Sequence, residues 1–132
     1  MILGIGIDLC EVDRIRALLG KDKQRFVRRV YQPREIAYCD ARRRPEIHYA
    51  ARFAAKEAFL KAVGAGWRLG WMQLEVVRAP SGKPDLVLTG KAAEIAARRG
   101  VLTMHLTLTH TADTAAAVVV LEGRPAAEEH RR

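Results

Sequence analysis

The chain has 132 residues, 49% of them hydrophobic and 6% aromatic, which is enough for one domain with its own core. It carries 23 Lys and Arg against 15 Asp and Glu, and the resulting charge of +8 favours an anionic partner: nucleic acid, a membrane surface, a phosphorylated small molecule or an acidic protein. Because no apolar stretch approaches about 18 residues and no basic segment precedes the apolar N-terminus, we expect neither a transmembrane helix nor an export signal.

The predicted elements begin with a strand over residues 2–8, where isoleucine, leucine and glycine form an apolar run typical of a buried strand. A helix over 11–19 follows, which we expect to end at Gly20, and then a second short helix over 25–30. A third helix begins at Pro33, a residue suited to a first helical turn. An arginine-rich loop over 40–46 then leads into a long helix over 46–63.

In the second half, strands over 74–78 and 85–89 flank the turn "APSGKP", and an amphipathic helix over 91–99 ends at Gly100. The alternating strand 103–109 pairs with the apolar strand 115–122 across the turn "HTAD", which leaves His105 on the polar side. These elements predict one α+β domain over residues 1–122, an antiparallel sheet packed against helices, one of them long and central. The polar tail over 123–132 is expected to be disordered.

Glu57 is unusual because it lies in an apolar part of the long helix. Ala50, Phe53, Ala54 and Leu60 lie three, four or seven residues from it and therefore share its face. Desolvating a lone carboxylate there costs several kcal/mol by rough estimate, unless a cation pairs with it. Lys61, one turn later, is one candidate partner, and a metal ion is another.

Asp8 raises the same question, since it terminates an apolar strand. Two such carboxylates can hold Mg²⁺, which takes one or two carboxylates and completes its shell with waters and phosphates. Arg52, Lys56 and Lys61 would then contact phosphate, with His110 as a further cationic or hydrogen-bonding group. The alternative from spacing alone is a Glu57–Lys61 pair within the helix and an Asp8 that caps the next helix.

Four segments, "GIGIDLCEVDRI", "RFAAKEAFLKAVGAG", "SGKP" and "LTHT", occur in this order. Together they resemble the holo-acyl-carrier-protein synthases, the small bacterial members of the 4′-phosphopantetheinyl transferase superfamily. The resemblance covers residues 1–122 and implies that family's fold. It also implies transfer of the phosphopantetheine arm of coenzyme A to a serine of apo-acyl carrier protein, with release of adenosine 3′,5′-bisphosphate.

The resemblance also implies roles for individual residues. Asp8 and Glu57 correspond to the Mg²⁺ ligands, and Lys61 to the lysine that contacts phosphate, so these three form the implied catalytic set. The base that deprotonates the serine is either Glu57 or a metal-bound water that it orients. The implied coenzyme A contacts are Arg52, Gly64 and Gly66 on the nucleotide-binding surface, and Lys83, Pro84 and His110 around the adenosine 3′-phosphate.

Acyl carrier proteins are acidic, and in this family they dock on the first helix. The resemblance therefore implies that Arg14, Arg25 and Arg28 bind the carrier protein. It also implies a homotrimer with active sites between subunits, and a neighbouring strand would cover 115–122, which is apolar on both faces. We expect no nucleic acid or membrane partner. The sequence does not distinguish carrier proteins of fatty acid synthesis from those of polyketide synthesis.

Cys10 and Cys39 match no metal-ligand spacing and are expected as free thiols in a reducing cytoplasm. Two alternatives to the enzyme remain open from the residues. A basic nucleic-acid-binding module explains the charge but leaves Asp8 and Glu57 unexplained, and it would need aromatic residues among the basic ones. The second alternative is a non-catalytic protein that binds acyl carrier protein.

Overall fold

The computed structural model describes residues 1–64 and 70–125, which form four helices and two antiparallel sheets. The strands are β1 (Ile2–Glu11), β2 (Leu74–Arg78), β3 (Pro84–Leu88), β4 (Val101–His110) and β5 (Thr114–Gly123). The helices are α1 (Val12–Val30), α2 (Pro33–Asp40), α3 (Pro45–Val63) and α4 (Gly90–Arg98), and a 3₁₀ turn, Trp71–Gln73, precedes β2. The α+β class and the long helix predicted over 46–63 are confirmed.

The larger sheet has the order β1-β5-β4, and β2 pairs with β3 in a separate two-stranded sheet. Helix α3 packs on one face of the larger sheet, against β1 and β5. A side chain added at Gly4 or Gly6 would overlap the carbonyl oxygens of Ala62 and Ala58, respectively. The two glycines therefore allow β1 to approach the α3 backbone closely, and Asp8 of β1 lies beside Lys61 of α3.

The opposite face of β1 is exposed, so the prediction of a wholly buried strand is wrong. Glycines fill the inward positions, and Ile5, Ile7 and Leu9 point outward with 64%, 58% and 67% of their surface exposed. Strand β5, for which we expected cover from a neighbouring strand of another subunit, is the central strand of this sheet. Its neighbours β1 and β4 form hydrogen bonds with its backbone, but none of the described elements covers the apolar outer face.

Helix α1 does not end at Gly20. It continues to Val30, with a kink at Asp22, whose φ of −155° and ψ of 83° are not helical. The two predicted helices are thus two segments of one kinked helix, and Val12, Ile15, Val27 and Val30 are buried. Leu18, four residues before the kink, is 36% exposed.

The remaining elements agree with the prediction to within a residue or two. Gly64 ends α3 in the left-handed conformation (φ +70°), and its amide donates to the carbonyls of Leu60 and Lys61. At the other end of the domain, Gly123 and Arg124 donate backbone hydrogen bonds to Met1 and Gly100, whereas positions 126–132 of the predicted tail lie outside the described residues. None of the described helices is long and apolar enough to cross a membrane.

Candidate active site

The Asp8 carboxylate is paired with Lys61 rather than acting as a helix cap. Lys61 Nζ lies 2.8 Å from Asp8 Oδ1 and 3.1 Å from the carbonyl oxygen of Ile7. The Asp8 side chain is only 15% exposed, whereas Lys61 is 57% exposed. The predicted pair within the helix, Glu57 with Lys61, is therefore replaced by a pair between helix and strand, and Lys61 stands at the solvent side of Asp8.

Glu57 is held by a different group. Its Oε2 accepts a hydrogen bond of 2.7 Å from the indole Nε1 of Trp71, the first residue of the 3₁₀ turn. The Trp71 ring packs on Phe53, one turn earlier on α3, at a centroid distance of 5.8 Å. This contact was not predicted, since Trp71 lies 14 residues after Glu57 in the sequence. The other tryptophan of the chain, Trp67, lies outside the described residues.

Asp8 and Glu57 both act electrostatically on the thiol of Cys10, which is buried. Burial raises the pKa of the Cys10 thiol to about 11; the charge of Arg14 opposes this shift, and the carboxylates of Asp8, Glu11 and Glu57 add to it. Within 1–64 and 70–125, no group of three or more His, Cys, Asp or Glu residues could hold a metal. Two half-buried carboxylates without nitrogen or sulfur ligands fit Mg²⁺ that completes its shell with waters and phosphate.

Arg52 also lies in α3, but it belongs to a different cluster of side chains, which is strongly basic. It is 2% exposed, and its Nε has no hydrogen-bond partner in the described part of the chain. Its guanidinium lies 4.1 Å from the Tyr38 ring centroid, and those of Arg42 and Arg78 lie 4.4 and 5.1 Å from the same ring. Three arginines thus surround one aromatic ring, and one of them, Arg52, has a buried N–H group without an acceptor. Such a cluster can bind an anion, whose oxygens would accept hydrogen bonds from these donors.

His110 joins this basic cluster through His48. The His48 ring lies 5.8 Å from Tyr38 and 6.2 Å from His110. Burial lowers the pKa of His48, and the positive charges of Arg52, His110, Arg42 and Arg78 lower it further. Arg52 and His110, predicted to bind the same nucleotide, therefore lie at one electropositive corner.

The "GKP" turn is tied to the same corner. Arg78 Nη1 donates a hydrogen bond of 2.6 Å to the carbonyl of Gly82, and the Ala79 amide donates to that of Lys83. Pro84 begins β3 opposite Arg78. Lys83 is exposed, so its ammonium is available to an anion at this corner. Gly64 lies at the end of α3, and Gly66 is outside the described residues.

Lys56 is not available to phosphate, so that expectation is wrong. It is fully buried, and its ammonium donates to Glu35 Oε1 at 2.7 Å, to the Val30 carbonyl at 2.6 Å and to the Trp71 carbonyl at 3.3 Å. The Glu35 carboxylate also accepts from the amides of Gln32 and Val76. This buried pair ties α1, α2, α3 and the 3₁₀ turn together, and no periodic pattern in the sequence indicates it.

The basic residues of α1 divide into paired and unpaired ones. Arg16 pairs with Asp13, and Lys23 with Asp40. Among the described residues, no carboxylate lies within ion-pair distance of the exposed Arg14, Arg25 or Arg28. At the kink, a groove of about 440 Å³ has apolar and basic walls, lined by Leu18, Lys21, Asp22, Arg25, Phe26 and Arg29.

Residues 4–119 match the family model described as the 4′-phosphopantetheinyl transferase superfamily, and the chain belongs to this family. It is 49% identical over 125 residues to a holo-[acyl-carrier-protein] synthase of Syntrophus aciditrophicus, a match that covers 93% of this chain and 98% of the relative. The resemblance drawn from the four motifs is thereby confirmed.

Solved structures agree. The holo-[acyl-carrier-protein] synthase of Neisseria meningitidis superposes with a TM-score of 0.84 at 35% identity, covering 92% of this chain and 99% of that one. The enzyme of Bacillus anthracis, crystallised in complex with CoA (3′,5′-ADP), gives a TM-score of 0.76 at 34% identity, with 94% and 99% covered. These comparisons give no support to the nucleic-acid-binding alternative.

Proposed function

We propose that this chain transfers the 4′-phosphopantetheine arm of coenzyme A to a serine of apo-acyl carrier protein and releases adenosine 3′,5′-bisphosphate. The observation that carries the proposal is the pair of clusters on α3. Arg52, with its unsatisfied buried Nε, belongs to a basic cluster suited to the nucleotide phosphates. Glu57, on the same helix, forms the second cluster with Asp8, two carboxylates suited to Mg²⁺, and in a trimer with shared sites the basic cluster of one chain would face the carboxylates of its neighbour.

The reaction breaks one phosphorus–oxygen bond and forms another. The serine hydroxyl oxygen attacks the pyrophosphate phosphorus that carries the pantetheine arm, and the bond from that phosphorus to the bridging oxygen breaks. The bridging oxygen leaves with its electron pair as part of adenosine 3′,5′-bisphosphate. Lys61, exposed beside Asp8, is placed to neutralise charge on the phosphate oxygens.

The serine proton must go to a base within hydrogen-bonding reach. Trp71 occupies Oε2 of Glu57, and the proton goes either to Glu57 or to a water that Glu57 orients. Asp8 and Glu57 are the residues that would hold Mg²⁺, and the ion, when bound, would neutralise negative charge on the pyrophosphate. Lys61 would then turn from Asp8 toward phosphate.

The carrier protein docks on α1 in this proposal. Arg14, Arg25 and Arg28 present positive charge to an acidic partner, and the groove at the kink exposes Leu18 and Phe26 to apolar side chains. Arg14 also lies 5.7 Å from the Phe53 ring, beside the Trp71–Glu57 contact. A carrier protein on this face would therefore hold its serine near Glu57.

The assembly proposed is a homotrimer with sites shared between subunits. Its support is the outer sheet face, where exposed Ile5, Ile7 and Leu9 lie beside half-buried Ala116, Val118 and Val120. An apolar face of this kind favours contact with another copy. A cytoplasmic location also belongs to the proposal, because Cys10 and Cys39 are both buried free thiols, as in proteins of reducing compartments.

The function is tested by chromatography of the nucleotide product. The chain is incubated with coenzyme A, Mg²⁺ and an apo-acyl carrier protein, and adenosine 3′,5′-bisphosphate should form only when all three are present. A carrier protein whose acceptor serine is replaced by alanine is the matched control. Release of the product with this control carrier would indicate hydrolysis of coenzyme A and contradict the proposal.

A further inference from the structure

The 3₁₀ turn Trp71–Gln73 is attached to α3 at two adjacent residues. Lys56 Nζ donates to the Trp71 carbonyl, and the Trp71 indole donates to the carboxylate of Glu57, the next residue in the helix. One turn of α3 thus forms hydrogen bonds with both the backbone and the side chain of Trp71.

The turn itself is held at each of its three residues. Gln32 Nε2 donates to the Met72 carbonyl at 2.5 Å, and the Thr89 amide donates to the Gln73 carbonyl at 2.9 Å. The Trp71 carbonyl accepts the third hydrogen bond, from the ammonium of Lys56, which is fully buried and is fixed by Glu35. Because the backbone cannot shift without breaking these bonds, the indole N–H has a fixed origin and direction.

Glu57 by itself is poorly fixed, since it is half-buried and its long side chain has considerable rotamer freedom. A hydrogen bond of 2.7 Å to a carboxylate is charge-assisted and short. It removes that freedom and occupies Oε2, which leaves Oε1 as the oxygen open to a cation. In metal sites, donors that orient a ligating side chain in this way are typically worth about 10- to 100-fold in metal affinity or activity.

We propose that Trp71 is a positioning residue for Glu57: its indole N–H holds the carboxylate so that one oxygen, Oε1, faces the cation. The inference rests on the proposed function, because it takes Glu57 as a ligand of Mg²⁺. It assigns Trp71 no contact with substrate. Packing on Phe53 fixes the position of the indole ring, and the indole N–H orients the Glu57 carboxylate.

The test separates the N–H from the ring. Trp71→Phe keeps an aromatic side chain against Phe53 and removes the donor. We expect the Mg²⁺ concentration that half-saturates turnover to rise about tenfold, with a smaller fall in kcat at saturating Mg²⁺. Phe53→Leu is the matched control, since it disturbs the ring contact but leaves the N–H, and it should move the Mg²⁺ requirement much less.

A second measurement needs no turnover and does not depend on the folding of Trp71→Phe. In a Trp67→Phe background Trp71 is the single tryptophan, and its fluorescence is followed as Mg²⁺ is added with coenzyme A but no carrier protein. Binding of a cation to Glu57 changes the charge beside the indole, so the emission should shift with the same midpoint as turnover. Glu57→Gln in this background should abolish the shift.

Two results would overturn the inference while leaving the function intact. One is an active Trp71→Phe enzyme with an unchanged Mg²⁺ requirement, and the other is a Trp71 emission that stays constant at Mg²⁺ concentrations that saturate turnover. If the parent chain releases no adenosine 3′,5′-bisphosphate, the proposed function itself fails, and the two failures are thereby distinguished.

Discussion

At the scale of single residues, the two carboxylates of the site are stabilised by different partners. Asp8 is paired with the flexible and exposed Lys61, whereas Glu57 is held by an indole fixed to the protein core. The difference fits their proposed tasks. Lys61 must leave Asp8 when phosphate and Mg²⁺ arrive, while Glu57 keeps one oxygen in place throughout.

We predict that Asp8→Asn and Glu57→Gln each lower turnover by orders of magnitude while the fold persists. Both amides retain the shape of the side chain but neither ligates Mg²⁺ as a carboxylate does. Thermal unfolding should show melting temperatures close to that of the parent, since neither residue is part of the apolar core. Near-parental turnover of either variant at saturating Mg²⁺ would show that the metal site is assigned to the wrong residues.

The buried Lys56–Glu35 pair makes a prediction about stability. Lys56→Met should lower the free energy of unfolding by about 3–5 kcal/mol, because it leaves the Glu35 carboxylate buried without its counter-charge. Lys56→Met combined with Glu35→Gln should cost less, since no charge is then buried, although only one of the two backbone N–H groups of Gln32 and Val76 keeps an oxygen acceptor. Urea unfolding measures both, and a Lys56→Met variant as stable as the parent would rule out this account of the pair.

At the scale of secondary-structure elements, α1 carries the proposed docking surface. We predict that Arg25→Glu and Arg28→Glu raise the KM for the carrier protein on the order of tenfold and leave that for coenzyme A unchanged, because they add repulsion at an interface with an acidic partner. Arg14→Glu should act in the same direction. The effect should shrink as salt is added.

Arg98→Glu on α4 is the matched control for these variants, because it makes the same change in net charge on another exposed helix. It should leave the KM for the carrier protein near the parental value. An equal rise in both KM values for the α1 variants, or the same rise for Arg98→Glu, would contradict docking on α1.

The elements also show what the sequence can and cannot predict. Helix α3 and the β4–β5 hairpin follow from local patterns, with a glycine end in the first and strict alternation in the second. Strand β1 misleads because glycines occupy its inward positions, so its large side chains point outward although the run is apolar throughout. Its burial on the inner face depends on the contact with α3, which local sequence does not encode.

The same distinction holds for the site. An acidic residue in an apolar stripe is visible in the sequence, so Glu57 can be identified without the structure. The partners of Lys56 and Glu57 lie 14–26 residues away in the chain, and only the packing of helices brings them together. Arg52 was predicted through family resemblance, but its unsatisfied Nε and the three-arginine arrangement around Tyr38 are tertiary features.

At the scale of the whole molecule, the exposed apolar face of the larger sheet favours contact with another copy of the chain, which would remove it from water. We predict that the chain is a trimer in solution and that Ile7→Lys dissociates it, because a lysine at the centre of this face cannot be buried without a partner charge. Val87→Lys, at an exposed position of the smaller sheet, is the control and should leave the trimer intact. Light scattering distinguishes these states, and a fully active monomer of the parent chain would end the proposal.

Sites shared between subunits lead to a further expectation. Asp8→Asn and His110→Ala should each be inactive alone and should recover part of the activity when the two proteins are mixed and allowed to exchange subunits. In a mixed trimer, the His110→Ala chain supplies Asp8 and its neighbour supplies His110. A mixture that exchanges subunits but stays inactive would place both residues of a site in one chain.

The central claim is the transfer itself, and the intact mass of the carrier protein tests it most directly. Apo-acyl carrier protein is incubated with coenzyme A, Mg²⁺ and the parent chain, and in parallel with Glu57→Gln, and its mass is then measured. The account predicts that the carrier gains one phosphopantetheine arm on its acceptor serine with the parent chain and negligible amounts with the variant. A carrier whose mass is unchanged by the folded parent chain would contradict the account.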